Sequence, residues 1–426
     1  MKKLCTLLLT VCMLLVLLAG CSSGSSSTAQ PASDSEAPPA AGQTAGEKTT
    51  IVFATAADDS WQKTLNFALE NANQALAEKN IEITVEYYPS EDDMWKVLPA
   101  QIVSGAAPDI VGLNNEGILE FITNGTFAAL DDLIVDSGFD TSLLDKTNLD
   151  GWKYEGKQYG LPFTTTITAL AVNMTMLKEH NIDKAPETME EMLVAAQACN
   201  DPDNGVYGIC VPIHEFHLSQ YTHAYEGGWN FGKDLENDGN KQGLQFVVDL
   251  YNTYHVAATP AQLGVNGEAD ALGAGKCAMI TGGPWFVPVL RDMDVDFEWK
   301  MVPMPSGTAQ HSTLYGWAFC MLESSKNKAA AMDAIAAILS EESYQYLAEV
   351  RGDIPAMSKY VSTYEELYPE MAVVLDTSDN AMPFDYPVAA NRFKSDLVTG
   401  MENVIFQNSM TVEDLLADMA ADGYEK

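Results

Sequence analysis

Apolar and polar positions follow two alternating periods along most of this chain. Residues 49–55 form a short β-branched apolar run, the pattern of a buried strand. Over residues 61–79 the apolar side chains Leu65, Ala68, Leu69, Ala72 and Leu76 fall at helical spacing, with Ser60 as a candidate N-cap. Residues 81–88 alternate as a strand. Residues 91–104 are helical, with Met94, Val97, Leu98 and Ile102 on one side. Residues 109–113 give a third strand and 117–123 a short helix. Strand and helix in strict alternation predict a parallel α/β layer, and in such layers ligands sit beyond the carboxyl ends of the strands. Those ends are residues 56–60, with Asp58 and Asp59, and the run Asn114-Asn115-Glu116.

Further along, residues 152–159 predict a hairpin turning at Glu155-Gly156, and 163–172 a long strand-forming run. Helical spacing returns at 174–180, 188–199, 241–255, 268–275, 326–339 and 341–349, and again from 394 to 421. Strands are expected at 207–211, 276–281, 299–304 and 314–322. Elements alternate without a repeat, so the fold class is α/β; periodicity alone leaves open whether there is one large sheet or two.

The N-terminus departs from this pattern. Lys2 and Lys3 precede residues 4–18, which are almost wholly apolar and uncharged. That is about 15 residues, against the roughly 20 that a spanning helix needs. A basic start with a short apolar core reads as a secretory signal. It ends in Leu18-Ala19-Gly20-Cys21, small residues ahead of a cysteine. This resembles a bacterial lipoprotein box, in which the cysteine is acylated and becomes the new N-terminus; the rival is an ordinary signal peptide with an incidental cysteine. Residues 1–20 are therefore expected to be removed, and residues 21–47, rich in Ser, Ala, Gly and Pro, to act as a linker behind a lipid on Cys21. The Gly-x-Ser-x-Gly match at Gly20 to Gly24 falls in this linker. It lacks the strand-to-helix elbow that a serine hydrolase needs.

Charge narrows the function. The 426 residues carry 60 acids and 23 bases, for a net charge of −37. Loss of Lys2 and Lys3 with the signal makes it −39. Such a chain lacks the basic face that nucleic acid or anionic lipid requires. Hydrophobic residues are 47% of the total, enough for a sizeable core. Four cysteines follow the signal: Cys199, Cys210, Cys277 and Cys320. None forms a Cys-x-x-Cys pair, so a zinc or redox site is not indicated. Buried thiols are the favoured reading, with a Cys199–Cys210 disulfide left open. His214, His217 and His223 crowd one segment beside Glu215, yet no His-Glu-x-x-His is present. Residues 201–205 and 236–240 fail the spacing of a calcium loop and read as turns. Gly275-Lys276 is no phosphate loop, because it lies between a helix and a following strand, the reverse of the order required.

Six segments, in order, resemble the extracellular solute-binding proteins of ABC importers, in the carbohydrate-binding family that includes maltose-binding protein. They are Gly105-Ala-Ala-Pro108-Asp109-Ile110; residues 151–162, with Gly156-Lys157 and Gly160-Leu161-Pro162; Leu170-Ala-Val172-Asn173; Gly275-Lys276 through Gly283-Pro284-Trp285; Gly316-Trp317-Ala318-Phe319; and residues 326–342. The resemblance implies two α/β lobes of the periplasmic-binding-protein type, hinged like a flytrap. Lobe one would comprise residues 49–163 plus 318–349, and lobe two 164–317 plus 351–426. The crossings would lie near residues 164–168, 315–318 and 351–355. It implies a carbohydrate ligand, most simply an oligosaccharide, permease subunits as partners, a monomer tethered outside the cell, no catalysis, no metal and no cofactor.

Sugar recognition needs flat aromatics for C–H faces, and amides or carboxylates for hydroxyls. The candidates are Asp58, Asp59, Trp95, Asn114, Asn115, Glu116, Thr165, Trp229, Trp285, Trp317 and Arg351. Each has a plainer rival. Asn and Asp cap helices, Trp95 and Trp317 pack cores, and Arg351 pairs with Asp353. Two other functions stay open: a surface glycoside hydrolase, since sixty acids supply many carboxylate pairs, and a receptor for a cationic solute such as a polyamine.

Overall fold

The computed structural model describes residues 48–57 and 59–424. The signal, the linker, Cys21 and Asp58 lie outside the described residues. Strands β1 (Thr49–Ala56), β2 (Ile81–Tyr88) and β3 (Ile110–Asn114) run parallel, joined by the helices Asp59–Leu76 and Glu91–Ser104. Ser90 caps the second of these helices by accepting from the Asp93 N–H at 3.1 Å. Next comes the hairpin β4 (Lys153–Tyr154) and β5 (Lys157–Gln158), whose turn has left-handed backbone at both Glu155 and Gly156. Strand β6 (Gly160–Pro162) then completes a first sheet, which also takes a later strand from the chain.

The run at 163–172 is not one strand. It divides at Thr168 into β7 (Thr164–Ile167) and β8 (Ala169–Asn173). Thr168 bonds the Thr313 backbone in both directions, and beyond it the chain enters a second sheet. That sheet holds β8, β9 (Tyr207–Cys210), β10 (Ala257–Ala258), β11 (Cys277–Gly282) and β12 (Trp299–Pro303), in the order β10-β9-β11-β8-β12. The chain returns through β13 (Thr313–Tyr315) into β14 (Trp317–Met321), which lies between β3 and β6, so the first sheet reads β2-β1-β3-β14-β6. Finally β15 (Ile354–Pro355) and β16 (Met382–Pro383) follow, the last before helices Ala390–Glu402 and Val412–Asp422.

Each five-stranded sheet anchors its own lobe. Phe53, Leu65, Ile83, Phe319 and Ile335 bury together around the first, and Leu170, Met192, Leu244, Phe393 and Leu415 around the second. A small third sheet joins them in the order β15-β7-β13-β16. Three passages of the chain from lobe to lobe thus lie side by side as paired strands. Such a ribbon concentrates any relative movement of two rigid bodies into a few residues.

Two further stretches depart from the sequence pattern. The tail expected from 394 to 421 as one helix is broken near Asn408, which takes φ 49°. The helix Glu215–Ala224 has no apolar stripe, because all ten of its residues are buried. Its polar groups are partly satisfied inside: Ser219 accepts from the Trp229 indole N–H at 3.0 Å, and His223 Nδ1 meets Thr313 Oγ1 at 2.8 Å. Cys199, Cys210, Cys277 and Cys320 are all buried and free. Among the described residues no helix is long and apolar enough to cross a membrane.

Candidate functional site

Where the carboxyl ends of the first sheet face the second lobe, a cavity of about 450 Å³ opens. The first lobe supplies Trp61, Glu91 and Asn114, the second Trp285, and the joining ribbon Thr164, Thr166 and Tyr315; Trp317, Arg351 and Asp353 complete the wall. An adjoining groove of about 780 Å³ shares Glu91 and Asn114, and extends past Trp95, Glu116 and Phe121 to Asn391 and Lys394. A smaller recess of about 90 Å³ holds Asn115, Tyr154 and Phe231.

The tryptophans differ in what stands behind each ring. Trp317 on β14 is 6% exposed and crosses Trp61 edge-on at 5.0 Å between ring centroids. Its ring lies against Gly112 of β3, where an added Cβ would lie 2.1 Å from the indole. Trp285, at the end of β11, is 37% exposed. Phe216 supports it at 5.7 Å, tilted, and Tyr315 at 6.4 Å, edge-on, which leaves part of its surface free. The glycine ahead of it makes room for this ring itself: a Cβ on Gly283 would lie 2.3 Å from the indole.

Polar groups are already engaged. Glu91 Oε1 accepts from the Asn114 backbone N–H at 3.2 Å. Arg351 pairs with Asp353 and lies with its guanidinium 4.5 Å from the centre of the Trp61 ring. Burial pushes the Tyr315 hydroxyl well above its ordinary pKa, and the Glu116 and Asp353 carboxylates push the same way, so it stays a neutral donor. Behind Phe216, His217 Nε2 meets Glu268 Oε1 at 2.7 Å. Burial raises the Glu268 carboxyl, but the hydrogen bond and charge of His217 outweigh it and leave it below its usual range.

The structure brings Asn114, Trp285, Trp317 and Arg351 to one cavity, and puts Trp95 and Glu116 in the adjoining groove. Trp95 there stacks on Phe121 at 4.1 Å. Asn115 lines the small recess, its Oδ1 buried without a protein partner. Two candidates sit elsewhere. Trp229 is wholly buried against Phe393, with its indole spent on Ser219. Thr165 points the opposite way from its neighbours, as the pleat of a strand requires. It accepts from Asn148 Nδ2 at 2.8 Å, while Thr164 and Thr166 line the cavity. Asp59 opens the helix Asp59–Leu76. Sequence reasoning did not single out Trp61, Glu91, Thr164 or Tyr315 for the site. Trp61 and Glu91 follow the ends of β1 and β2, a position that marks them in any parallel layer. Tyr315 falls at an expected crossing, but no motif in the sequence marks its side chain for the site. Among the described residues no group of three or more His, Cys, Asp or Glu is arranged to hold a metal.

Known proteins share this architecture. An ABC substrate-binding protein from Listeria monocytogenes, solved in complex with cycloalternan, superposes with a TM-score of 0.75 at 20% identity, covering 88% of this chain and 98% of that one. The sugar-binding protein MalE from Xanthomonas citri gives 0.75 at 18% identity, over 88% and 97%. In sequence, a maltotriose-binding protein of Pyrococcus abyssi is 26% identical over 246 residues, 54% of this chain and 50% of that protein. The chain thus matches half the length of that relative. A lactose-binding protein of Rhizobium radiobacter is 25% identical over 320 residues, 70% of this chain and 74% of that protein. The family profile described as bacterial extracellular solute-binding protein matches residues 70–370. That match spans well over half the chain, and with the two-lobed fold around a lined cavity it makes this chain a member of the bacterial extracellular solute-binding proteins.

Proposed function

We propose that this chain binds a carbohydrate, most simply an oligosaccharide, between its lobes and delivers it to the permease of an ABC importer. The observation that carries the reading is Trp285: an indole held by Phe216 and Tyr315 with 37% of its surface free, in a cavity whose other walls carry amide, carboxylate and hydroxyl groups. Aromatic planes beside hydrogen-bonding groups are what a pyranose, apolar on its faces and polar on its rim, requires. The relatives support it, since the names they carry are those of sugar-binding proteins and not of enzymes.

In this reading Trp285 stacks on one sugar ring, Asn114 and Glu116 serve hydroxyls, and Trp95 serves a further unit along the groove. Arg351, Trp317 and Trp61 build the floor. The lobes are residues 49–163 plus 318–349 and 164–317 plus 351–426. The two core clusters support this partition except near its last boundary, where Ala356 and Met357 pack with the first lobe and Ala348 with the second. Ligand stabilises the closed arrangement by its greater affinity for it. The protein acts as a monomer outside the cell, tethered through a lipid on Cys21, while the permease and its ATPase do the transport. A thermal-shift screen over mono- and oligosaccharides tests the reading, because a ligand raises apparent stability by mass action. A shift with at least one neutral saccharide is expected; no shift with any of them counts against it.

A further inference from the structure

Glu116 ends the first lobe's strand β3 region, yet its charge partner comes from the other lobe. Lys394, on the helix Ala390–Glu402, places Nζ 3.3 Å from Glu116 Oε2 and 3.7 Å from Glu215 Oε1. That helix belongs to the second lobe, through Phe393, Leu397 and Met401. The ammonium also lies 5.8 Å from the centre of the Tyr386 ring. Burial raises the Tyr386 hydroxyl pKa far above its usual value, and the Glu116 and Glu215 carboxylates add to this, so both act on one spot. His214 Nδ1 stands 3.2 Å from the other oxygen of Glu215. The approach is close in the backbone too, since a Cβ on Gly117 would lie 3.5 Å from that of Ala390.

We infer that Lys394 is a positioning residue of the cleft, carried by the second lobe and holding the Glu116 carboxylate of the first, so that this hydroxyl acceptor is set in place while the lobes are together. Two facts give the contact this role. The chain passes from lobe to lobe through the strands of the small ribbon, so a hinge movement there changes the Lys394–Glu116 distance. The bridge also places a positive charge within reach of two carboxylates, one from each lobe. Without it, Glu116 and Glu215 repel across the gap. With it, closing the lobes and orienting the acceptor become one event. Glu116 as a hydroxyl acceptor rests on the carbohydrate reading above; the interlobe bridge does not.

The test compares Lys394→Met with Lys394→Arg in the full chain. Spin labels at the exposed positions Val103 on the first lobe and Val194 on the second report the interlobe distance by pulsed electron resonance, with no sugar present. Lys394→Met is expected to shift or broaden that distribution and Lys394→Arg to restore it. With a saccharide found by the thermal screen, Lys394→Met should weaken binding roughly fivefold, the upper range for a pair of this exposure, and Lys394→Arg should recover it. A distribution that Lys394→Met leaves unchanged overturns the inference whatever happens to affinity, as does a failure of Lys394→Arg to restore it. Should no saccharide bind even the unaltered protein, the carbohydrate reading falls, and the distance measurement still decides the bridge.

Discussion

Two tryptophans face the same cavity and do different work. Trp317 is wedged between Trp61, Phe53 and Phe319 in the first lobe, against a glycine that leaves it no slack. Trp285 stands on the second lobe, propped from behind and open in front. Both follow glycine-containing motifs at strand boundaries, and the sequence already offers core packing as the rival role of Trp317. What separates them is the packing behind the ring. A ring enclosed on all sides contributes cohesion, whereas a ring held on one side keeps a surface for a guest.

This contrast can be broken by mutation. Trp317→Ala should cost about 4 kcal/mol of folding stability, the range for emptying a large buried aromatic site, read from denaturant unfolding. A loss under about 1 kcal/mol would mean the ring is not structural. A second test belongs to the buried polar helix behind Trp285. Burial pushes His223 down to about 3, with His311 adding to the effect. The unfolded chain then takes up a proton below pH 6.5 that the folded chain refuses. Stability must therefore fall as pH drops from about 6.5 toward 3, by a few kcal/mol at most. His223→Gln should flatten that slope, and an unchanged slope between pH 6.5 and 5 removes His223 as its source.

Gly112→Ala should cost roughly 2 kcal/mol by forcing the Trp317 ring aside. Combined with Trp317→Ala the cost should be less than additive, because the clash is then gone. Trp285→Ala is the smallest effect on folding, within about 0.5 kcal/mol, yet it should weaken ligand binding by about 1–2 kcal/mol, in keeping with the loss of a large aromatic contact. Reversal of this pair, with Trp285→Ala unfolding the protein and Trp317→Ala sparing it, would invert the comparison.

The alternation of strand and helix was legible because each layer has one buried face, and a buried face imposes its period. The helix Glu215–Ala224 escaped for the complementary reason: buried on every side, it has no stripe to show. The breaks at Thr168 and between β13 and β14 were hidden because a strand that changes sheets keeps its β-forming residues. At the site, the ends of the parallel strands pointed to Asn114 and Glu116, which the structure places in the cavity and the adjoining groove, since topology fixes where those ends emerge. Thr165 and Trp229 were misplaced because orientation depends on register and packing depth, which no local motif records. Lys394 could not be seen, because its partner lies 278 positions earlier in the chain.

Isothermal titration of neutral oligosaccharides into the unaltered protein and into Trp285→Ala decides the matter. A saturable heat with at least one saccharide, weakened about tenfold by the substitution, is the expected result. No heat with any saccharide, or identical affinity in the two proteins, would contradict a cleft that grips sugar through Trp285.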